Sequence, residues 1–401
     1  MNREVLLSYR DKYKAELDKC VEFWLKNSVD AKNGGIYNSL DRTGRIFAKD
    51  KAVWLQGRCL WTFSYLCNQY GYQQKWHELA KSCLGFLNKY CIDPVDGRMY
   101  FMVSEDGLPI RKRRYFFSEA FYIIGCAEYA YAFSDEKALN TAKKYFHFVK
   151  NIYLDPIKND PYKITPKYIN RQMIGFAQAM ILLNVSHIMA KCDSENAHDY
   201  IAFAKACSND IIRFFYKEDL NALLETVGQD GEFLKDITGG RTLNPGHAIE
   251  GAWFLLTQAQ NTNDAALVEK AKNIFDWSID IGWDEKFGGI FSFVDVLGYP
   301  PEALEHDMKL WWPVCEALIS SILLYEHTGD GKYFNWFEKL DNYAFNHFSD
   351  RQYGEWYGYL HYDGTPALDG LKGNLFKGPF HLPRMLCSVE RCLTRLCDNY
   401  S

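Results

Sequence analysis

Apolar residues recur at three- and four-residue spacing through twelve stretches of the chain, the mark of helices that bury one face. The predicted helices span roughly 4–27, 51–70, 74–91, 115–133, 135–152, 168–191, 195–216, 245–261, 264–281, 307–328, 331–348 and 379–397. Between alternate helices run glycine-punctuated aromatic stretches: Asn33-Gly34-Gly35-Ile36-Tyr37 to Gly44, Asp96-Gly97-Arg98-Met99-Tyr100 to Gly107, Asn221 to Gly231, Phe287-Gly288-Gly289-Ile290-Phe291 to Gly298, and Gly354 to Gly364. Several close on Asp-Gly (Asp106-Gly107, Asp230-Gly231, Asp363-Gly364), a hairpin signal.

These connectors repeat with a period of about 65 residues, and the interval from Gly97 to Asn221 holds two periods, with Pro156 to Pro166 as a divergent connector. Six helix pairs of one period predict an all-α fold, an (α/α)6 barrel in which each inner helix is covered by an outer one. Short β-hairpins are expected in the connecting loops at one end. An open solenoid would need polar caps on its terminal repeats, and none stands out. No Pro/Ser/Gly-rich linker or like-charge run divides the chain, so residues 1–401 read as one catalytic domain.

The period also orders the polar residues. Inner-helix starts carry Arg58, Glu119, Glu250, Glu316 and Arg384, and one turn earlier stand Trp54, Tyr115, His247, Trp312 and His381. Equivalent positions in a closed ring face a common axis, so these side chains are expected to line one mouth of the barrel. His247 lies in Asn244-Pro245-Gly246-His247-Ala248-Ile249-Glu250 and His381 in Phe376-Lys377-Gly378-Pro379-Phe380-His381-Leu382-Pro383-Arg384. Each motif puts an imidazole on the first turn of a helix with an ionisable side chain three residues on, on the same face. Two such bases suit proton transfer on opposite sides of a small substrate.

Composition narrows the partners. The net charge of -5 argues against nucleic acid or an anionic membrane. Most of the 27 Tyr, 27 Phe and 11 Trp fill a large core, and the remainder suit a wide pocket that stacks against sugars or flat ligands. No stretch has membrane-spanning length, and the start, Met1-Asn2-Arg3-Glu4, shows no apolar signal segment. The 12 cysteines form no CxxC pair and are expected as buried free thiols of a cytoplasmic protein.

Several motifs resemble one family. Gly240 to Leu256, with Asn244-Pro245-Gly246-His247 at its centre, resembles the central motif of the N-acylglucosamine 2-epimerases. Trp54-Leu55-Gln56-Gly57-Arg58, Lys309-Leu310-Trp311-Trp312-Pro313 with Glu316-Ala317-Leu318, and Tyr359 to Arg384 are similar to further signatures of that family. Two stretches depart from it: Val314-Cys315 ahead of Glu316, and the third inner helix from Asn170 to Met180. The resemblance covers nearly the whole chain. It implies the same barrel and epimerisation at C2 of an aldose, with N-acetylglucosamine and N-acetylmannosamine as the first pair. Cofactor independence, activation by ATP and a homodimer are further expectations of the resemblance alone.

Epimerisation requires ring opening, removal of the C2 proton, stabilisation of an enediolate and reprotonation from the other face. His247 and His381 are the candidate acid–base pair. Arg58 and Arg384 are candidates to bind sugar oxygens and the developing oxyanion. Glu250, Glu316 and Glu119 are candidate substrate contacts, with a structural ion pair as the competing role for Glu119. Trp312 and Tyr115 are candidate stacking residues, and Arg241 a support for the motif loop. Competing functions are an aldose–ketose isomerase, a cellobiose 2-epimerase, an inverting glycoside hydrolase using two of Glu119, Glu250 and Glu316, and a non-enzymatic protein-binding role. Gly373 to Gly378 lacks the Lys-Ser/Thr of a phosphate loop, Arg111 to Arg114 reads as a solvated basic run, and His306-Asp307 and His361-Tyr362-Asp363 lack metal-site spacing. No metal is expected.

Overall fold

The computed structural model describes residues 2–112, 115–160 and 173–399. Its long helices are α1 (Arg3–Asn27), α2 (Val53–Tyr70), α3 (Gln74–Tyr90), α4 (Phe117–Phe133), α5 (Glu136–Leu154), α6 (Phe176–Cys192), α7 (Ala197–Asp210), α8 (Pro245–Thr262), α9 (Ala265–Gly282), α10 (Trp311–Thr328), α11 (Gly331–His347) and α12 (His381–Asp398). The even-numbered helices form a closed inner ring, each packed on the next and α12 packed back on α2. Helices α3, α5, α7, α9 and α11 each cover the inner helix before them, and α1 covers α12. The chain therefore closes the (α/α)6 barrel by supplying half of the last pair from its N-terminal end.

Residue patterning decides which helix goes inside. Inner helix α4 buries Ser118 through Ala130 without a break, so it needs partners on every side. Outer helix α5 buries only Ala138, Ala142, Tyr145, Phe146, Val149 and Ile152, one stripe at helical spacing. All twelve cysteines are free and buried in this packing. No helix of the described residues is long and apolar enough to cross a membrane.

The connectors hold an interlock beyond simple hairpins. Local hairpins do occur, as where Ser39–Leu40 pairs with Ile46–Ala48. More often the strand that leads into an inner helix pairs with the next repeat's connector. Lys51–Ala52 pairs with Met102–Val103, Met173–Gly175 with Thr226–Gly228, Thr242–Leu243 with Val294–Asp295, and Lys309–Leu310 with Tyr359–Leu360. A bridge between Leu40 and Gly373 joins the last connector to the first. These pairings explain why α2, α4 and α10 start later than their apolar periodicity suggests: backbone groups just ahead of them bond laterally or turn instead. Residues 168–172 of the third predicted helix, Arg113-Arg114 of the basic run and Pro166 of the third connector lie outside the described residues. The helix predicted over 195–216 stops at Asp210 and passes into a wider turn over Ile211–Phe215.

One repeated device escaped the sequence reading. Asp30, Asp93, Asp284 and Asp350 each accept from the backbone N–H two residues on, fixing a tight turn. Each also binds a lysine from the strand or loop leading to the next inner helix: Lys51 at 2.6 Å, Lys112 at 2.7 Å, Lys309 at 2.9 Å and Lys372 at 3.1 Å. The carboxylates compensate lysines that are largely removed from water and tie each connector to the barrel rim.

Candidate active site

The rim carries a cavity of about 580 Å³. Its apolar wall is made by Phe117, Phe121, Ile124, Met180, Ile181 and Phe254, and its polar groups include Arg58, Asn184, Asn244, His247, Glu250, His381 and Arg384. Trp54 and Trp312 line it as expected.

Local sequence explains how the histidines arrive. Pro245 opens α8, and the Asn244 side chain caps it by accepting from the His247 N–H at 3.1 Å. Gly246 lies so close to α10 that a Cβ there would come within 2.7 Å of the Trp312 ring. That glycine lets the indole reach both catalytic candidates, 5.1 Å from the His247 ring and 5.8 Å from the His381 ring between centroids. His381 is the first residue of α12. The loop before it is anchored by a fully buried Lys377–Glu355 ion pair at 2.6 Å.

Both imidazoles are tied through Nδ1 to a carboxylate. His247 Nδ1 donates to Glu225 at 2.9 Å, and His381 Nδ1 donates to Glu316 at 2.8 Å. A carboxylate accepts, so each bond places a proton on Nδ1 and leaves Nε2 as the atom that takes up or gives a proton to substrate. The electrostatic settings differ. Burial opposes the His247 imidazolium, but Glu225, with Glu250 and Glu316 further off, outweighs it and raises the His247 pKa. Burial, reinforced by Arg58 and Arg384, drives His381 well below its ordinary value. Of the two, His247 is thus biased toward its protonated form and His381 toward its neutral form.

The arginines are placed differently. Arg384 Nη2 donates to Glu250 at 2.6 Å and to Glu316 at 2.7 Å, and Glu316 also accepts from Trp253 Nε1 at 2.9 Å. Glu250, Glu316 and His381 would make a compact set of cation ligands, within 4.8 Å of one another, but the Arg384 guanidinium already bonds both carboxylates. Glu316 is fully buried beneath the cavity and acts on His381 and Arg384. Among the described residues Arg58 makes no ion pair; it bonds the Phe376 carbonyl at 3.2 Å and lies over the rings of Phe121 and Phe380. Burial pulls its pKa down to about 9, which leaves it charged at neutral pH. Among the described residues that line the cavity, it is the cation not bound to a carboxylate.

Three expected contacts do not line the cavity: Glu316, held beneath it, and two that lie elsewhere. Glu119 is fully buried away from the cavity, bonded to Arg98 at 2.7 Å and to the Met99 N–H at 2.9 Å. Its counterpart in the first repeat is Gln56, which accepts from the Ile36 N–H in the same way. The repeat is therefore offset by two residues from the alignment that set Glu119 beside Arg58, and Phe121 takes the cavity-facing place. Tyr115 shifts for the same reason: it precedes α4, half exposed, stacked on Phe117, and does not line the cavity. Arg241 supports the motif loop through Asp295 at 2.9 Å. Val314 and Cys315 are buried in helix packing and do not line the cavity. Glu225 was missed because it sits in a connector with no motif around it.

The closed ring of helix pairs carries two carboxylate-anchored histidines at its mouth, a pair suited to proton transfer on a small substrate. The family model for N-acylglucosamine 2-epimerase (GlcNAc 2-epimerase) matches residues 34–376, and the chain belongs to that family. It is 34% identical to the N-acylglucosamine 2-epimerase of Bos taurus over 98% of this chain and 93% of that protein. In fold it is similar to a cellobiose 2-epimerase from Bacillus thermoamylovorans (TM-score 0.83, 19% identity, 96% of this chain and 99% of that one). It is also similar to a D-mannose isomerase (TM-score 0.83, 17% identity, 95% and 97%). The chain is accordingly a sugar 2-epimerase, an isomerase.

Proposed function

We propose that this epimerase interconverts N-acetylglucosamine and N-acetylmannosamine by removing the C2 proton with one of His247 and His381 and returning a proton from the other. The observation that carries the reading is the matched anchoring of the two imidazoles, each held through Nδ1 by a carboxylate and both against Trp312. The open-chain aldehyde makes the C2 proton acidic. His381, the neutral member, removes it from the epimer that presents it to that face, and His247 returns a proton to the other face. At a carbon bearing an acetamido group the intermediate is an enolate with its charge on O1, and Arg58 supplies a cation to meet it. The other epimer runs the same steps with the roles exchanged.

The choice of an amino sugar rests on the 34% identity to the bovine enzyme. Cellobiose epimerisation and ketose formation are the competing reactions at the same site. A glycoside hydrolase of inverting type needs two free carboxyls roughly 6.5–9.5 Å apart. Glu250 and Glu316 instead share one Arg384 nitrogen, and Glu119 is outside the cavity. The chemistry asks for no cofactor. Twelve buried thiols support a reducing, cytoplasmic setting; the homodimer and the ATP response rest on family resemblance.

Incubation with N-acetylglucosamine, glucose, mannose and cellobiose in heavy water tests the reading. Deuterium is expected at C2 of N-acetylmannosamine, with turnover abolished in His247→Ala and His381→Ala. Full activity in either variant refutes the two-histidine assignment, and turnover of the other sugars alone refutes the substrate.

A further inference from the structure

The two histidines are supported by different parts of the fold. Glu316, which holds His381, comes from α10, the inner helix next to α12. Helix α6 stands to α8 as α10 stands to α12, but its cavity-lining residues are Ala177, Met180, Ile181 and Asn184. Among these there is no acid to hold His247. The carboxylate comes instead from the connector, where Glu225 sits between the strand residues Ala222–Leu223 and Thr226–Gly228.

That connector is well fixed. Thr226–Gly228 pairs with Met173–Gly175, and the Glu225 carbonyl accepts from the Phe176 N–H at 3.0 Å, at the start of α6. The Glu225 side chain is about three-quarters covered and reaches His247 Nδ1 at 2.9 Å. A buried or half-buried carboxylate bonded to one imidazole nitrogen fixes the tautomer and aims the other nitrogen.

We propose that Glu225 is a positioning residue for the epimerisation: its bond to Nδ1 orients His247 and keeps Nε2 directed into the cavity as the proton carrier. The proposal rests on His247 being one of the two proton carriers. Among the described residues, the charged groups around His247 are Glu225 from the connector, Glu250 on its own helix, Glu316 from α10, Arg58 from α2, and His381 and Arg384 from α12, with Glu305 also lining the cavity. Glu225 is the one bonded to it, and its charge and hydrogen bond together oppose the effect of burial.

Glu225→Gln keeps the shape and an accepting oxygen while removing the charge; Glu225→Ala removes both. The readouts are kcat and KM for N-acetylglucosamine across pH, with His247→Ala as reference and titration of the His247 imidazole by NMR. Glu225→Gln is expected to lower kcat about tenfold with KM close to wild type, and Glu225→Ala about a hundredfold. In both variants the alkaline limb of the pH profile and the His247 titration should move to lower pH, with Glu225→Asp restoring part of the shift. An inactive His247→Ala together with an unmoved limb and titration in Glu225→Gln overturns the role of Glu225 alone. An active His247→Ala overturns the two-histidine reading, and this proposal with it.

Discussion

Replacing Arg384 by methionine should expose how the cavity floor is held together. One guanidinium nitrogen bonds Glu250 at 2.6 Å and Glu316 at 2.7 Å, with side-chain exposures of 6%, 9% and 0% for the three residues. Methionine fills similar length but leaves two carboxylates facing each other out of water. Removing one partner of a buried ion pair costs about 3–5 kcal/mol, because the remaining charge keeps its desolvation penalty. Unfolding entropy of ~2.1 cal/mol/K per residue turns such a loss into about a 5 °C fall in Tm for a chain of this length. The sign with pH follows from the carboxylates. Without the cation two buried carboxylates repel each other and lack solvation, a cost that proton uptake relieves at low pH, so the deficit grows as pH rises. Calorimetric or spectroscopic melting of Arg384→Met between pH 5 and 8 should therefore show the largest deficit at pH 8. Adding Glu250→Gln to the variant should recover part of it. A deficit below 1 °C, or one that does not vary with pH, would refute this account of the network.

The opposed settings of the histidines predict a bell-shaped kcat/KM. Activity should rise as pH climbs past the depressed pKa of His381, which must be neutral, and fall as pH climbs past the raised pKa of His247, which must carry the proton. Both epimers should show the same bell, since both directions use the pair with one proton. A single limb would remove one histidine from the mechanism. Glu119→Gln should lower Tm by about 1–3 °C through its bond to Arg98 while leaving KM and kcat near wild type. A large change in KM would return Glu119 to the substrate site.

Much of this was legible along the chain. Helix number, the pairing into six repeats and the convergence of His247, His381, Arg58 and Arg384 follow from apolar spacing and a common period, because a regular repeat has few ways to close. The same logic failed by two residues at the second repeat. Arg58 and Glu119 are both ionisable and near a helix start, and sequence offers no way to see that Glu119 is the partner of Gln56 in register. That distinction needed the hydrogen bonds to Ile36 and Met99.

The sequence by itself determined the barrel, the placement of two imidazoles at helix starts, and the reaction class through its resemblance to a family. Tertiary structure decided which charges meet. Glu225 lies 22 residues from His247, and Glu316 lies 65 from His381, so neither bond has a local signature. Protonation is decided at the same level. Two imidazoles of one residue type, each bonded to a carboxylate, are pushed in opposite directions: acidic neighbours outweigh burial at His247, while at His381 burial reinforced by Arg58 and Arg384 prevails. A pKa is set by burial and by charge across space, and linear sequence encodes neither directly.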